Sequence, residues 1–181
     1  MSRAAYTYTP LRREDIQALR VFRNEQIDVL RQAEPISPEQ QERWFDDQVI
    51  PSQSDPRPSQ VLVSILDAED RFIGYGGLTN VRWDHRRAEV SFLVDPARAA
   101  DQDVYSRDMG AFLEFLTDMA FGLLGLNRLF SETYAFRDLT ISLLERAGFA
   151  LEGRLREHTA GDYGPVDSIM HGLLAADWRQ R

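Results

Sequence analysis

Apolar side chains return every three or four positions between Glu14 and Asn24, where Ile16, Leu19 and Phe22 share one side of a predicted helix. Ahead of it, Tyr6-Thr7-Tyr8-Thr9 alternates as a strand does. Ser37-Pro38-Glu39-Gln40 predicts a second helix start: serine caps, proline takes the first helical position, and glutamine at the third can close a capping box. That helix carries Trp44, Phe45 and Val49 and is expected to end near Pro51, before a polar, proline-rich loop over residues 51–59. From Gln60 the period falls to two. Strands are predicted over residues 61–66 and 71–78, joined by a turn at Asp67-Ala68-Glu69-Asp70. A third covers Arg87 to Val94, with Ala88, Val90, Phe92 and Val94 on one face and Glu89, Ser91 and Leu93 on the other. A long helix is expected from about Arg107 to Phe121, built on Phe112, Leu113, Leu116 and Met119. A strand from Asn127 to Tyr134 follows, then a helix from Asp138 to Ala147 closed by Gly148, and strands over residues 149–156 and 166–174.

The order is β-α-α-β-β-β-α-β-α-β-β. Three consecutive strands pair antiparallel most simply, whereas the β-α-β that follows implies a parallel step. The expected fold is α+β: a mixed, mostly antiparallel central sheet flanked by about four helices, in one domain over residues 1–181. No repeat interrupts it.

Composition narrows the chemistry. The chain has no cysteine, so it has neither disulfide nor thiolate nucleophile, and all 21 basic residues are arginine, so no lysine can form a Schiff base. The three histidines, His85, His158 and His171, lack metal-ligand spacing, and no metal is expected. A formal charge of −8 argues against a nucleic-acid partner. With no apolar run long enough to span a bilayer and no apolar leader, the expected location is the cytoplasm and no membrane partner is expected.

Several local motifs fall into place together. Phe72-Ile73-Gly74-Tyr75-Gly76-Gly77-Leu78, Arg87 to Val94, and Leu139-Thr140-Ile141-Ser142-Leu143-Leu144-Glu145-Arg146-Ala147-Gly148-Phe149 resemble, in order and spacing, the central strand, catalytic strand and "x-S-I-x-L-x-E-K-x-G-F" segment of the GNAT superfamily of acyl-CoA N-acyltransferases. Phe22-Arg23-Asn24 resembles the "W-R-N" signature of the branch holding ribosomal-protein N-terminal and amino-sugar acetyltransferases. The stretch from Leu30-Arg31-Gln32 through Gln41-Glu42-Arg43-Trp44-Phe45 is similar to acetyltransferases of nucleotide amino sugars.

The resemblance implies acetyl-CoA as co-substrate, with its arm held between the Arg87–Val94 and Asn127–Tyr134 strands. It assigns cofactor contacts to Phe92, Leu93 and Val94, to Ser106, Arg107, Asp108, Met109 and Gly110 at the start of the long helix, and to Arg137. The family's pyrophosphate turn, R/Q-x-x-G-x-G/A, is altered here. Residues 95–110 are longer, hold no glycine before Gly110, and include Asp101, Asp103 and Asp108, carboxylates that oppose a diphosphate unless they point away. Arg137 stands where the family usually has a cofactor-touching asparagine.

Transfer to an amine needs a base, an oxyanion donor and an acid for the departing thiolate. The resemblance puts Glu89 in the role of base, the alternative being a solvated carboxylate beside Arg86 or Arg87. For the acid it offers Thr140, otherwise a helix-end residue with a local hydrogen bond; Tyr134, otherwise a rim residue, is the second candidate. Arg23, Asn24 and Trp83 are candidate acceptor contacts, and Arg23-Asn24 can equally end the first helix. His85 and His158 are expected on the surface, the latter beside the Gly161-Asp162-Tyr163-Gly164 loop. The expected activity is acetylation of a primary amine on a small molecule such as an amino sugar. Its rivals are acetylation of a protein N-terminus and a non-acetylating protein of the same fold with a degenerate cofactor loop. A two-fold homodimer is the generic expectation.

Overall fold

A computed structural model describes residues 6–161 and 164–180. Among the described residues seven strands, β1 (Thr7–Pro10), β2 (Val61–Leu66), β3 (Phe72–Arg82), β4 (Arg87–Val94), β5 (Arg128–Tyr134), β6 (Ala150–Gly161) and β7 (Gly164–Leu174), follow the order β1-β2-β3-β4-β5-β7-β6, and the chain divides into two compact units, residues 1–80 with 91–101 and residues 81–90 with 102–181. Asp162 and Tyr163 of the predicted loop lie outside the described residues.

The first unit opens with β1 (Thr7–Pro10), a 3-10 turn at Arg13–Asp15 and α1 (Ile16–Glu25). Asp15 is buried and takes a bidentate pair of bonds from Arg12 at 2.7 and 2.8 Å and one from Ser64 Oγ at 2.6 Å, so the chain entering α1 is tied to the sheet. α2 (Pro38–Trp44) begins with the predicted capping box: Gln40 N–H donates to Ser37 Oγ at 3.2 Å and Ser37 N–H to Gln40 Oε1 at 2.7 Å. Pro51 does not end the helical run. A π-helical turn, Phe45–Val49, shifts the hydrogen-bond register ahead of the proline, which then occupies an opening position of α3 (Ile50–Ser54), where its missing N–H costs nothing.

Strands β2 (Val61–Leu66) and β3 (Phe72–Arg82) pair antiparallel, and β1 pairs with β2. The turn between β2 and β3 is closed by Asp67, whose carboxylate accepts from the N–H groups of Glu69 and Arg71, with Asp70 at φ 61°. Two glycines of the predicted central-strand motif answer to close backbone approach. A Cβ at Gly74 would stand 2.4 Å from the Leu93 carbonyl oxygen, and one at Gly77, φ 141°, 2.0 Å from that of Val61. Leu11, Ile16, Leu19, Phe45, Val49, Leu62 and Leu93 form the core of this unit, with Phe22 stacked on Phe72 at 5.7 Å.

The second unit is built on β5 (Arg128–Tyr134), α6 (Asp138–Arg146), β6 (Ala150–Gly161) and β7 (Gly164–Leu174). β4 (Arg87–Val94) contributes its first half here and its second half to the first unit. The predicted parallel step is present: β4 and β5 pair through Arg87–Arg128, Ala88–Leu129 and Glu89–Phe130. β7 pairs antiparallel with β5 over its whole length, Arg128 through Tyr134, and β6 flanks β7. The β6 register breaks between Leu151 and Gly153 and again between Leu155 and Thr159, where Glu157 takes φ 49°. α6 closes on Gly148 at φ 74°, as expected of a helix end.

The long helix differs from its prediction. α4 (Pro96–Ala100) is capped by the Asp95 side chain, which accepts from Ala97 N–H at 2.8 Å, Asp101 is extended, and α5 (Gln102–Thr117) begins about a turn and a half earlier than the expected Arg107. Two of the aspartates that read as a loop stand at helix beginnings. Asp95 caps one helix, and Asp103 lies in the first turn of the next, where a negative charge complements the helix dipole.

Candidate functional site

Cross-strand partners project to the same side of a sheet, and alternate residues of a strand share a face. The Glu89–Phe130 rung therefore places Glu89 on one face with Phe130, Glu132 and Tyr134 of β5, and with Ser168 and Met170 of β7, the register partners of Tyr134 and Glu132. Glu89 is 5% exposed, which rules out a solvated surface carboxylate. The two arginines that might have paired with it are engaged elsewhere: Arg86 donates to the Gly125 carbonyl at 2.8 and 3.0 Å, and the Arg87 guanidinium lies over the Phe130 ring at 6.0 Å.

Glu132 is a residue that motif reading missed. Its Oε1 accepts from Ser168 Oγ at 2.9 Å and stands 3.7 Å from Nε2 of His158. Its only sequence signal is the alternation of β5, which places it two residues beyond the partner of Glu89. Tyr134, the last residue of β5, packs its ring against Phe136 at 5.6 Å. His85 and His158 are both exposed, as expected.

Thr140 and Arg137, drawn from separate motifs, are joined by a third residue. Arg137 Nη2 donates to the hydroxyl of Tyr105 at 3.1 Å, and that hydroxyl lies 3.0 Å from Thr140 Oγ1. The alternative of a local helix-end bond for Thr140 gives way to this contact across 35 residues. Tyr105 is 6% exposed and Thr140 8%. Sequence reading passed over Tyr105 because it was counted within an irregular loop.

The other assigned cofactor residues fall as follows. Ser106, Arg107, Asp108, Met109 and Gly110 lie inside α5 rather than at its opening, because the helix starts at Gln102. Asp108 and Met109 are buried, so Asp108 is turned away from solvent, and Arg107 is exposed. Gly110 lines a groove of about 840 Å³ with Leu113, Glu114, Arg146 and Trp178. In the first unit, Leu93 and Val94 are buried; the Val94 carbonyl accepts from Gln26 Nε2 at 2.8 Å, and the next residue, Asp95, donates its N–H to Ile73. Phe92 is partly exposed beside them.

Among the acceptor candidates, Asn24 has a structural task. Its Nδ2 donates to the Ile36 carbonyl at 2.9 Å, its Oδ1 accepts from Ile36 N–H at 2.8 Å and from Gln32 Nε2 at 3.0 Å, and this folds the following segment back on α1. Arg23, whose Nε donates to Gln32 at 3.1 Å, lines a pocket of about 360 Å³ with Glu34, Ile36, Gln40, Gln41 and Trp44. Trp83 sits, partly exposed, in the turn between β3 and β4.

One ion pair reaches across β7, from β5 to β6. Arg128 and Glu152 form a two-pronged ion pair, and this bonding holds the Glu152 carboxyl below the ordinary glutamate range and the Arg128 guanidinium above its own. Glu152 occupies the space a side chain at Gly172 would need, with its carboxylate 2.3 Å from an added Cβ.

The described site is thus a strand pair with one parallel step, a buried Glu89 on its last rung, and Tyr134 on the same face. The family described as "Acetyltransferase (GNAT) domain" matches residues 9–170, and the chain belongs to that family of acetyl-CoA-dependent N-acetyltransferases. Solved structures share the fold. A chimera of the Vibrio cholerae spermidine N-acetyltransferase SpeG with hSSAT superposes with TM-score 0.83 at 19% identity, covering 98% of this chain and 100% of that one. The Vibrio cholerae spermidine N-acetyltransferase in complex with CoA and spermine gives 0.80 at 18%, covering 97% and 99%. No curated protein matches the sequence. Among the described residues no helix is long and apolar enough to cross a membrane.

Whether the chain's residues suit the acyl donor turns on the aspartates and on Arg137. Asp108 is buried whereas Asp101 and Asp103 are exposed, and Arg137 is part-buried with a neutral hydroxyl as its hydrogen-bond partner, so a cation is available for a phosphate-bearing ligand. The donor fits on this observation.

Proposed function

We propose that the chain is a cytoplasmic enzyme moving acetyl from acetyl-CoA to the primary amine of a small molecule, with Glu89 as base. The observation that carries this reading is the buried Glu89 on a sheet face it shares with Glu132 and Tyr134. An amine reaches the enzyme as an ammonium ion, which two carboxylates on one face attract and orient. Glu89 removes its proton, directly or through a water, and frees the nitrogen lone pair to form the amide bond. Tyr134 gives a proton to the sulfur as the carbon–sulfur bond breaks, and the second proton lost by the nitrogen as the amide forms restores the tyrosine. Acetyl-CoA, when bound, supplies the activated carbonyl carbon. Arg137 faces its phosphates.

The carboxylate pair favours a cationic acceptor, a class to which the spermidine and spermine of the structural neighbours belong. One observation favours the phosphate-bearing amino sugar instead: Arg23 lining the pocket formed with Glu34, Ile36 and Trp44. Screening amines with acetyl-CoA and reading released thiol separates the two. Turnover of di- and polyamines, unaffected by Arg23→Gln, supports the cationic acceptor, and turnover of nucleotide amino sugars lost in that variant supports the other. Absence of turnover with any primary amine overturns the reading.

A further inference from the structure

Arg137, Tyr105 and Thr140 make a hydrogen-bonded chain. A guanidinium only donates, so the Tyr105 oxygen accepts from Arg137 at 3.1 Å, and the Tyr105 and Thr140 hydroxyls share a hydrogen bond at 3.0 Å. Two of the three members are more than nine-tenths buried. Tyr105 comes from the first turns of α5 and Thr140 from the first turn of α6, so the phenol is anchored on two helices. Arg137, at the residue preceding α6, projects from this anchor and is only partly buried.

The cation is held without a carboxylate, as those of Arg23 and Arg86 also are. Arg12, Arg71, Arg82, Arg128 and Arg154 each pair with a carboxylate. Arg137 is held by a neutral oxygen, and among the described residues it forms no ion pair. Its charge is uncompensated and its position is fixed, the condition under which a planar guanidinium takes a phosphate oxygen well.

We propose that Tyr105 is a positioning residue for acyl-donor binding: its hydroxyl, anchored on Thr140, fixes the Arg137 guanidinium as the receptor for the phosphates of the donor's nucleotide end. A side-chain cation on a rigid mount here takes over work that a glycine turn does with backbone N–H groups. The inference rests on acetyl-CoA as co-substrate and says nothing of the acceptor.

Calorimetry on the full chain tests it with two probes, CoA and pantetheine, which lacks the nucleotide and its phosphates. Tyr105→Phe and Arg137→Gln are each expected to weaken CoA binding about tenfold, the worth of one charge-assisted hydrogen bond, and to leave pantetheine binding unchanged. The double variant should bind CoA no worse than Arg137→Gln alone, because Tyr105 acts through Arg137. Additive losses, equal losses for both probes, or unchanged CoA binding each overturn the proposal. Should Tyr105→Phe fail a thermal-melt check of folding, Thr140→Val loosens the phenol from its other side, and the same split between probes is expected of it. Glu89 variants with unchanged turnover, which would dismiss Glu89 as base, leave this binding series untouched.

Discussion

Glu89 and Phe130 face each other across the last rung of the parallel ladder between β4 and β5, with Glu89 5% exposed. A carboxylate in that position is fixed by two backbones rather than by one flexible loop. Replacing Glu89 by Gln keeps its shape and removes its basicity. Turnover should fall well over tenfold with CoA affinity unchanged, measured by thiol release and by calorimetry. Equal turnover in the variant dismisses Glu89 as base.

The two acid candidates are separable by the structure. The Thr140 hydroxyl is buried and meets the hydroxyl of Tyr105, whereas Tyr134 ends β5 on the face of Glu89. Tyr134→Phe is therefore expected to lower kcat at least tenfold at saturating CoA, and Thr140→Val to act on CoA affinity instead. A kcat loss confined to Thr140→Val reverses the assignment.

Asn24 predicts stability rather than activity. Its amide satisfies both backbone groups of Ile36 and bonds to Gln32. Asn24→Ala should cost about 1–3 kcal/mol, because partly buried backbone groups lose their partners. Denaturant titration reads this loss, and CoA affinity should not change.

The pair of Arg128 and Glu152 carries an acid dependence. Arg128 holds the Glu152 carboxyl below its ordinary range, so the folded-state value lies under the unfolded one. The stabilisation is complete above the unfolded value and disappears as pH falls through the folded one. Gly172→Ala pushes a methyl into the Glu152 carboxylate. The melting-temperature difference between this variant and the parent should be present at neutral pH and shrink below about pH 4, the ordinary glutamate range. A gap that persists or widens in acid contradicts this account of the pair.

Much of the architecture was readable in the residues. The Ser37 capping box, the β2–β3 turn at Asp67, the bounds of β4 and the Gly148 helix end were legible because each is a local solution to backbone hydrogen bonding, carried by adjacent residue types. The start of α5 was not, because aspartates serve loops and helix openings equally well, and only the extended Asp101 between two helices distinguishes them. Pro51 misled for a related reason: a π turn moved the register by one residue, which no periodicity over a few positions reveals. At the site, Glu89 stood out through its motif, while Glu132 and Tyr105 did not. Their significance lies in partners 26–36 residues distant in the chain, His158, Ser168 and Thr140, and nothing in a local pattern encodes such meetings.

The twelve-residue outer strand β6 is crooked at two places. A straight ribbon of that length would invite an unfolded neighbour to add itself rung by rung, the first step towards insoluble fibres. Because the spacing slips near Leu151 and again around Glu157, such an intruder meets matched rungs for only a few residues before falling out of step. The same kinks that interrupt regular pairing with β7 thus protect the enzyme from self-association at its edge.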